Sequence, residues 1–332
     1  MKKVLLILAC VFGMSTAALA LTSSAVLLQH NGNITTYALE DIAQAMADAA
    51  DGDEVFLNDG KYPGFTISKA IKIKGAGQKT FIDGNIVIEN TEKNLGDIFI
   101  GFLYLDGSLR SKTVMGKLDL MQLKVTGGFV CSDGTVDEMF VDRCKIGGDN
   151  YIINLGSNYE ETVTVRDVTT TTIHPRVKKF TAMNSKISIR QSTNTFLAYP
   201  PYTFINCDVL FPASVTNPLT SYGLTFINSF VHQTMYHKLS DSEFINCVYD
   251  SLNDTNKLTG CYQTSSIKDS WTIYNLEDMG YFGNDGTVIG PLGGTRNTPF
   301  TLEPVVPRVT ESTLKVDPTN KKLDVTVTVS PK

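Results

Sequence analysis

The sequence predicts an all-β protein: a single-stranded right-handed parallel β-helix with an N-terminal capping helix and an extended C-terminal tail. Three observations carry the prediction. A six-residue phrase recurs as Phe204-Ile205-Asn206-Cys207-Asp208-Val209, Phe226-Ile227-Asn228-Ser229-Phe230-Val231 and Phe244-Ile245-Asn246-Cys247-Val248-Tyr249. Looser copies run back through the chain at a near-constant step. One helix-periodic segment precedes them all, where a stacked coil needs a cover for its first rung.

The chain opens with Lys2 and Lys3, an apolar run from Val4 and the small-residue pattern Ala18-Leu19-Ala20. This order reads as an export signal over residues 1–20. Cys10 after Ile7-Leu8-Ala9 offers lipoprotein processing as the alternative. Against it stand the bulk of Leu8 and an apolar run that continues beyond Cys10. No other segment has the apolar length of a membrane span. An exported protein without a transmembrane span is therefore expected: periplasmic, on the outer-membrane surface or extracellular.

Residues 21–54 read as an N-terminal strand and the capping helix. Leu39, Ile42, Ala43, Met46 and Ala50 fall at helical spacing between Tyr37 and Ala50, opposite Glu40, Asp41, Gln44 and Asp48. Asp51-Gly52-Asp53 ends the helix, and Val55-Phe56-Leu57 starts a strand.

The solenoid is expected over residues 55–298. The central residue of each copy marks the period: Gly101, Gln122, Arg143, Asp167, Asn184, Asn206, Asn228 and Asn246. The steps are 21, 21, 24, 17, 22, 22 and 18 residues. That is too short for two helices per repeat and suits one turn of three short strands, giving about eight to ten rungs. Side chains around the marker alternate into a core on either side of a tight bend. Asn, Gly and Asp tolerate the left-handed backbone that such a bend requires. Stacked about 4.8 Å apart, Asn184, Asn206, Asn228 and Asn246 are expected to form a structural ladder, hydrogen-bonded from rung to rung.

Cys144, Cys207 and Cys247 share the inward position after the marker. Cys207 and Cys247 stand two rungs apart, beyond the reach of a disulfide, so these cysteines read as small buried hydrophobes. The position before the marker should face outward, yet it holds Ile205, Ile227 and Ile245. Such an apolar strip calls for a cover. The tail, residues 299–332, supplies Val305, Val306, Val309 and Leu314 for it, with a second copy or a partner as rivals.

Ala38-Leu39-Glu40, Asp51-Gly52-Asp53-Glu54-Val55 and Asp59-Gly60-Lys61-Tyr62, continued by Ile71 to Gly77 and Phe81-Ile82-Asp83-Gly84, resemble the opening of pectin-lyase-like β-helix proteins. Asp285 to Gly294 with Pro299-Phe300 resembles the end of secreted Bacteroidetes β-helix proteins, many of them domains of unknown function. The resemblance covers residues from about 35 to 332. It implies the fold and a groove on one face of the coil. It names no activity, because that superfamily holds lyases, hydrolases, epimerases and inert scaffolds. The Asp cluster and Arg motif of pectate lyases and the Asp-Asp and Gly-His-Gly motifs of polygalacturonases are absent from the sequence.

With 29 basic against 34 acidic residues and a net charge of −5, the chain lacks the positive surface that nucleic acid requires. The outward column two places after the marker holds Lys124, Lys145, Thr169 and Lys186, then Asp208, Phe230 and Val248. Arg143 and Arg166 lie close to it. Such a stripe has the charge to hold the carboxylates or sulfates of an acidic polysaccharide, and it equally fits an ordinary solvated face. His174-Pro175-Arg176 with Lys178-Lys179 forms a basic insertion between rungs, and His232, Tyr236 and His237 sit on a second loop. No carboxylate pair is placed for glycoside hydrolysis, no calcium cluster or zinc spacing is visible, and no cofactor is expected. Three functions stay open: glycan binding without catalysis, a polysaccharide lyase acting on an acidic glycan, and a protein-binding scaffold or adhesin.

Overall fold

A left-handed residue at one recurring bend sets the architecture. The computed structural model describes residues 25–131, 135–147, 153–155, 162–166, 169–173, 179–189, 202–211, 219–233, 237–250, 252, 255–264, 280–291, 293–294, 308–317 and 322–330. Backbone φ is positive at Phe102 (61°), Gln122 (51°), Arg143 (50°), Asn184 (48°), Asn206 (51°), Asn228 (47°), Asn246 (48°) and Gly260 (62°). Before each bend the chain leaves one sheet, and two residues later it enters another. The expected markers hold from Gln122 onward, with Asp167 outside the described residues. The first is corrected from Gly101 to Phe102. Gly101 still belongs to the strand Ile98–Gly101 and pairs with Met121. It is glycine for room, since a Cβ there would meet the Phe99 ring and the Met121 carbonyl. Gly260 marks a further rung that the repeat pattern did not reveal.

Among the described residues the result is a parallel β-solenoid with a thirteen-stranded first sheet and a fourteen-stranded second sheet. An antiparallel hairpin, Ala25–His30 and Asn33–Ala38, extends the first sheet at its N-terminal edge through pairing with Glu54–Leu57. Its two-residue loop, Asn31-Gly32, has positive φ at both positions (48° and 83°), the mirror-image turn that follows strand twist. The helix Ile42–Asp48 is shorter than the expected Tyr37 to Ala50, because Tyr37 belongs to that hairpin and Leu39–Asp41 to a 3-10 turn. Its buried stripe is Ile42, Ala45, Met46 and Ala49 rather than one through Ala43. These four residues have the i, i+3, i+4, i+7 spacing of one helical face. Among the described residues no helix is long and apolar enough to cross a membrane.

The inward column of the first sheet runs Val55, Ile73, Ile100, Leu120, Val141, Val165, Ala182, Phe204, Phe226 and Phe244. Register places identical aromatic side chains one above another, and the rings stack: Phe204 on Phe226 at 5.0 Å and Phe226 on Phe244 at 4.7 Å. Inside the bends, the residue after the marker bonds back to the carbonyl two places earlier. Ser185 and Ser229 donate to Met183 O and Ile227 O at 2.7 and 2.8 Å. Cys144, Cys207 and Cys247 make the longer sulfur version to Asp142 O, Ile205 O and Ile245 O, at 3.3, 3.2 and 3.3 Å. Ser229 Oγ also accepts the Cys207 N–H of the neighbouring rung at 3.1 Å. These thiols are thus weak hydrogen-bonding groups as well as buried hydrophobes. Burial pushes Cys144 and Cys207 up to about 12.

Ile205, Ile227 and Ile245 are half-buried beside the buried Phe204, Phe226 and Phe244, so the strip does face outward. The cover that is described lies elsewhere. The segment from Gly280 to Gly294 runs back over the Asn bends and seats Ile289, with Tyr281 and Val288, on Phe230 and Val248. In the tail, Arg308–Asp317 pairs antiparallel with Lys322–Ser330. Val305 and Val306 lie outside the described residues, as do the side chains of Val309 and Leu314.

Candidate functional site

Strand register builds one outward column along the second sheet. Lys61 pairs with Phe81, Phe81 with Tyr104, Tyr104 with Lys124 and Lys124 with Lys145. Lys145 then pairs with Thr169, Thr169 with Lys186, Lys186 with Asp208 and Asp208 with Phe230. The next residue on most of these strands points inward: Tyr62, Ile82, Leu105, Val125, Ile146, Ile187 and Val209 are all buried. A period of two then turns the column to solvent.

At its N-terminal end two adjacent aromatic rings lie between lysines. The rings of Phe81 and Tyr104 meet edge to face, with centroids 5.0 Å apart. Lys124 Nζ lies 4.8 Å from the centroid of Tyr104. Lys61 Nζ lies 5.7 Å from that of Phe81 and 2.7 Å from Asp83 Oδ2. Beside the column stand Asp83, Asp106 and Thr126, whose hydroxyl donates to Asp106 Oδ1 at 2.9 Å. Aromatic faces carry partial negative charge and attract ammonium groups and C–H dipoles. With rungs about 4.8 Å apart, the surface repeats along one line, and a matching ligand must repeat likewise.

A tighter cluster sits further along. Asp208 Oδ1 is 2.9 Å from His232 Nε2, an ion pair when the ring is protonated, and Asp208 Oδ2 is 3.5 Å from Lys186 Nζ. Both partners are well shielded, at 13% exposure for Asp208 and 16% for His232, and the Phe230 ring lies 5.0 Å from the imidazole. Beyond it the column closes, because Ile289 buries Phe230 and Val248. Among the residues whose side chains are described, the accessible stretch therefore runs from Lys61 to Lys186.

Of the expected site residues, Lys124, Lys145 and Lys186 share this column. Arg143 does not: it sits on the bend, its Nε 3.1 Å from Oδ2 of the buried Asp142 in the first sheet. Arg166 also belongs to the first sheet, paired in register with Asp142 and Met183, and its side chain is outside the described residues. His174 lies outside them too.

Asn184, Asn206, Asn228 and Asn246 occupy the bends, and their backbones form the ladder, with Asn184 N donating to Ile205 O and Asn228 N to Ile245 O. The side-chain amides of Asn184 and Asn228 bond to the covering segment, whereas Asn206 Oδ1 is buried without a hydrogen-bond partner among the described residues. Asn184 Nδ2 donates to Gly293 O at 2.6 Å, and Asn228 Oδ1 accepts Asn284 N–H at 3.3 Å. Glycine at 283 and 294 lets that backbone lie against Asn228 and Asn206, where a Cβ would collide with the amides. Lys61, Phe81 and Tyr104 are the site residues that sequence reasoning missed. Aligning Leu103-Tyr104-Leu105 on Leu123-Lys124-Val125 would have found Tyr104.

Comparison of the chain with models of known protein families, with curated proteins and with solved structures gives no match. The structure itself therefore carries the assignment, which is that of a parallel β-solenoid whose second sheet presents a column of cations and aromatic rings.

Proposed function

We propose that this protein is an exported glycan-binding solenoid that holds an acidic polysaccharide along the open column of the second sheet. The supporting observation is the unbroken register from Lys61 through Phe81, Tyr104 and Lys124 to Lys145. An extended polysaccharide presents a carboxylate or sulfate, a ring face and hydroxyls in turn along its axis. Lysines on successive rungs meet the anions, Phe81 and Tyr104 meet ring faces, and Asp83, Asp106 and Thr126 meet hydroxyls. Strands hold these groups in place before binding, so little ordering cost opposes association.

A second reading, a polysaccharide lyase on the same face, draws on the contact between Asp208 and His232 beside Lys186. That cluster offers a base for a proton next to a uronic carboxylate.

One experiment separates the two. The protein is incubated with uronic-acid, sulfated and neutral polysaccharides, while ultraviolet absorbance of unsaturated products and retention on each glycan are followed. The expected result is retention by anionic glycans that weakens with salt, without a rise in absorbance. A rise selects the lyase. The absence of both retention and a rise in absorbance with every anionic glycan overturns both readings.

A further inference from the structure

We infer that Cys247 and Cys261 form a thiol–disulfide exchange pair: Cys261 captures an external disulfide, and Cys247 resolves it into a bridge between the last two described rungs. The position after the bend alternates through Ser185, Cys207, Ser229 and Cys247, which keeps those sulfurs two rungs apart. Cys261 breaks the alternation. It follows the bend at Gly260 and stacks directly on Cys247.

Backbone bonds bracket the two residues: Asn246 N donates to Thr259 O, and Tyr262 N to Cys247 O, each at 2.8 Å. Val248 pairs with Tyr262 alongside. Neighbouring strands lie about 4.8 Å apart, inside the Cα window of about 4.4–6.8 Å that a disulfide needs. Cys207 and Cys247 are twice that distance apart, outside it. The Cys247 N–H already points at Cys261 Sγ, at 3.4 Å.

The two thiols are unequal in a useful way. Cys247 is fully buried, and burial pushes its thiol well up. Cys261 is partly exposed, and the adjacent Cys247, through its thiol and the backbone N–H aimed at the Cys261 sulfur, holds it below the ordinary thiol range. The reachable sulfur is therefore the one that ionises first, and thiolate is the attacking species.

In the first step Cys261 thiolate attacks one sulfur of a small disulfide RSSR, forming Cys261–S–S–R and releasing RS⁻. Cys247 then attacks the Cys261 sulfur and expels the second RS group, which takes up the Cys247 proton and leaves as RSH. Two cysteine thiols and one disulfide become one protein disulfide and two RSH, so electrons and protons balance. The bridge would fasten the end of the described coil, where Leu258 and Tyr262 are exposed at 44% and 42%. It closes a short loop, the partners being 14 positions apart in sequence. The inference is independent of the glycan reading.

The test is incubation of fully reduced protein with oxidised glutathione, followed by peptide mass mapping without reductant. Wild type should yield the Cys247–Cys261 bridge and no lasting glutathione adduct, with Cys144 and Cys207 still thiols. Cys247→Ser should trap a stable adduct on Cys261, and Cys261→Ser should leave Cys247 unmodified. A persistent adduct on wild-type Cys261 beside a free Cys247, or no reaction at either residue, overturns the pairing. So does primary attack at Cys247 in the Cys261→Ser protein.

Discussion

Phe226→Ala is expected to lower stability by about 3–5 kcal/mol, the range for deleting a large buried aromatic side chain. The ring lies between Phe204, 5.0 Å away and inclined by 12°, and Phe244, 4.7 Å away and inclined by 21°, with Phe211 edge-on at 6.1 Å. Removing the middle ring leaves a void bounded by rungs whose spacing is fixed by backbone hydrogen bonds, so collapse around it is restricted. Phe226→Leu keeps most of the volume and should cost much less. Denaturant unfolding followed by far-ultraviolet circular dichroism measures both. A loss under about 1 kcal/mol for the alanine variant would mean that the Phe column is not packed as described.

Gly107→Ala should be damaging for the opposite reason. A Cβ at this position would fall on the carbonyl group of Gly84 in the rung before, and the Gly107 carbonyl is itself held by the Gly127 N–H at 2.8 Å. Neither side can give without shifting a strand, and overpacking of this kind costs about 1–3 kcal/mol or more. Gly127 and Gly64 meet neighbouring backbone in the same way, so this second bend is a place where main chains stack too closely for any side chain. Gly147 is the internal control, since a Cβ there would meet nothing within 4 Å. Gly147→Ala should be neutral or raise stability by about 0.4–1 kcal/mol through a stiffer unfolded chain. Equal midpoints for the two variants would contradict this view of the bend.

The repeat was legible because its bends fall on Asn, a residue that tolerates left-handed backbone with a short polar side chain. Phe102 adopts the same conformation without any such signature. Its bend is held by the rung beside it, through Phe102 N donating to Met121 O at 3.0 Å. Placing that bend one residue early, at Gly101, removed Tyr104 from the outward column and hid the aromatic half of the site. The hairpin at Asn31-Gly32 was written plainly in the sequence as an Asn-Gly pair between alternating residues, and only its strand was anticipated. The covering segment was not legible at all. Asn184 and Gly293 are 109 positions apart, and no local periodicity reports a contact at that separation. The cysteines were read correctly as buried, but their hydrogen bonds to bend carbonyls depend on a bend geometry that residue type alone does not reveal.

Calorimetric titration of an anionic glycan into paired variants locates the binding face most directly. Lys124→Ala and Tyr104→Ala remove adjacent members of the open column, whereas Lys72→Ala and Lys257→Ala remove exposed cations of the first sheet, ion-paired to Glu54 and Glu243. Each column variant should weaken binding about tenfold, equivalent to about 1.4 kcal/mol, with unchanged melting temperature. The first-sheet variants should bind as wild type does. Equal losses on both sheets would show that only net charge is being sensed, and undiminished affinity in the column variants would remove the second-sheet face as the site.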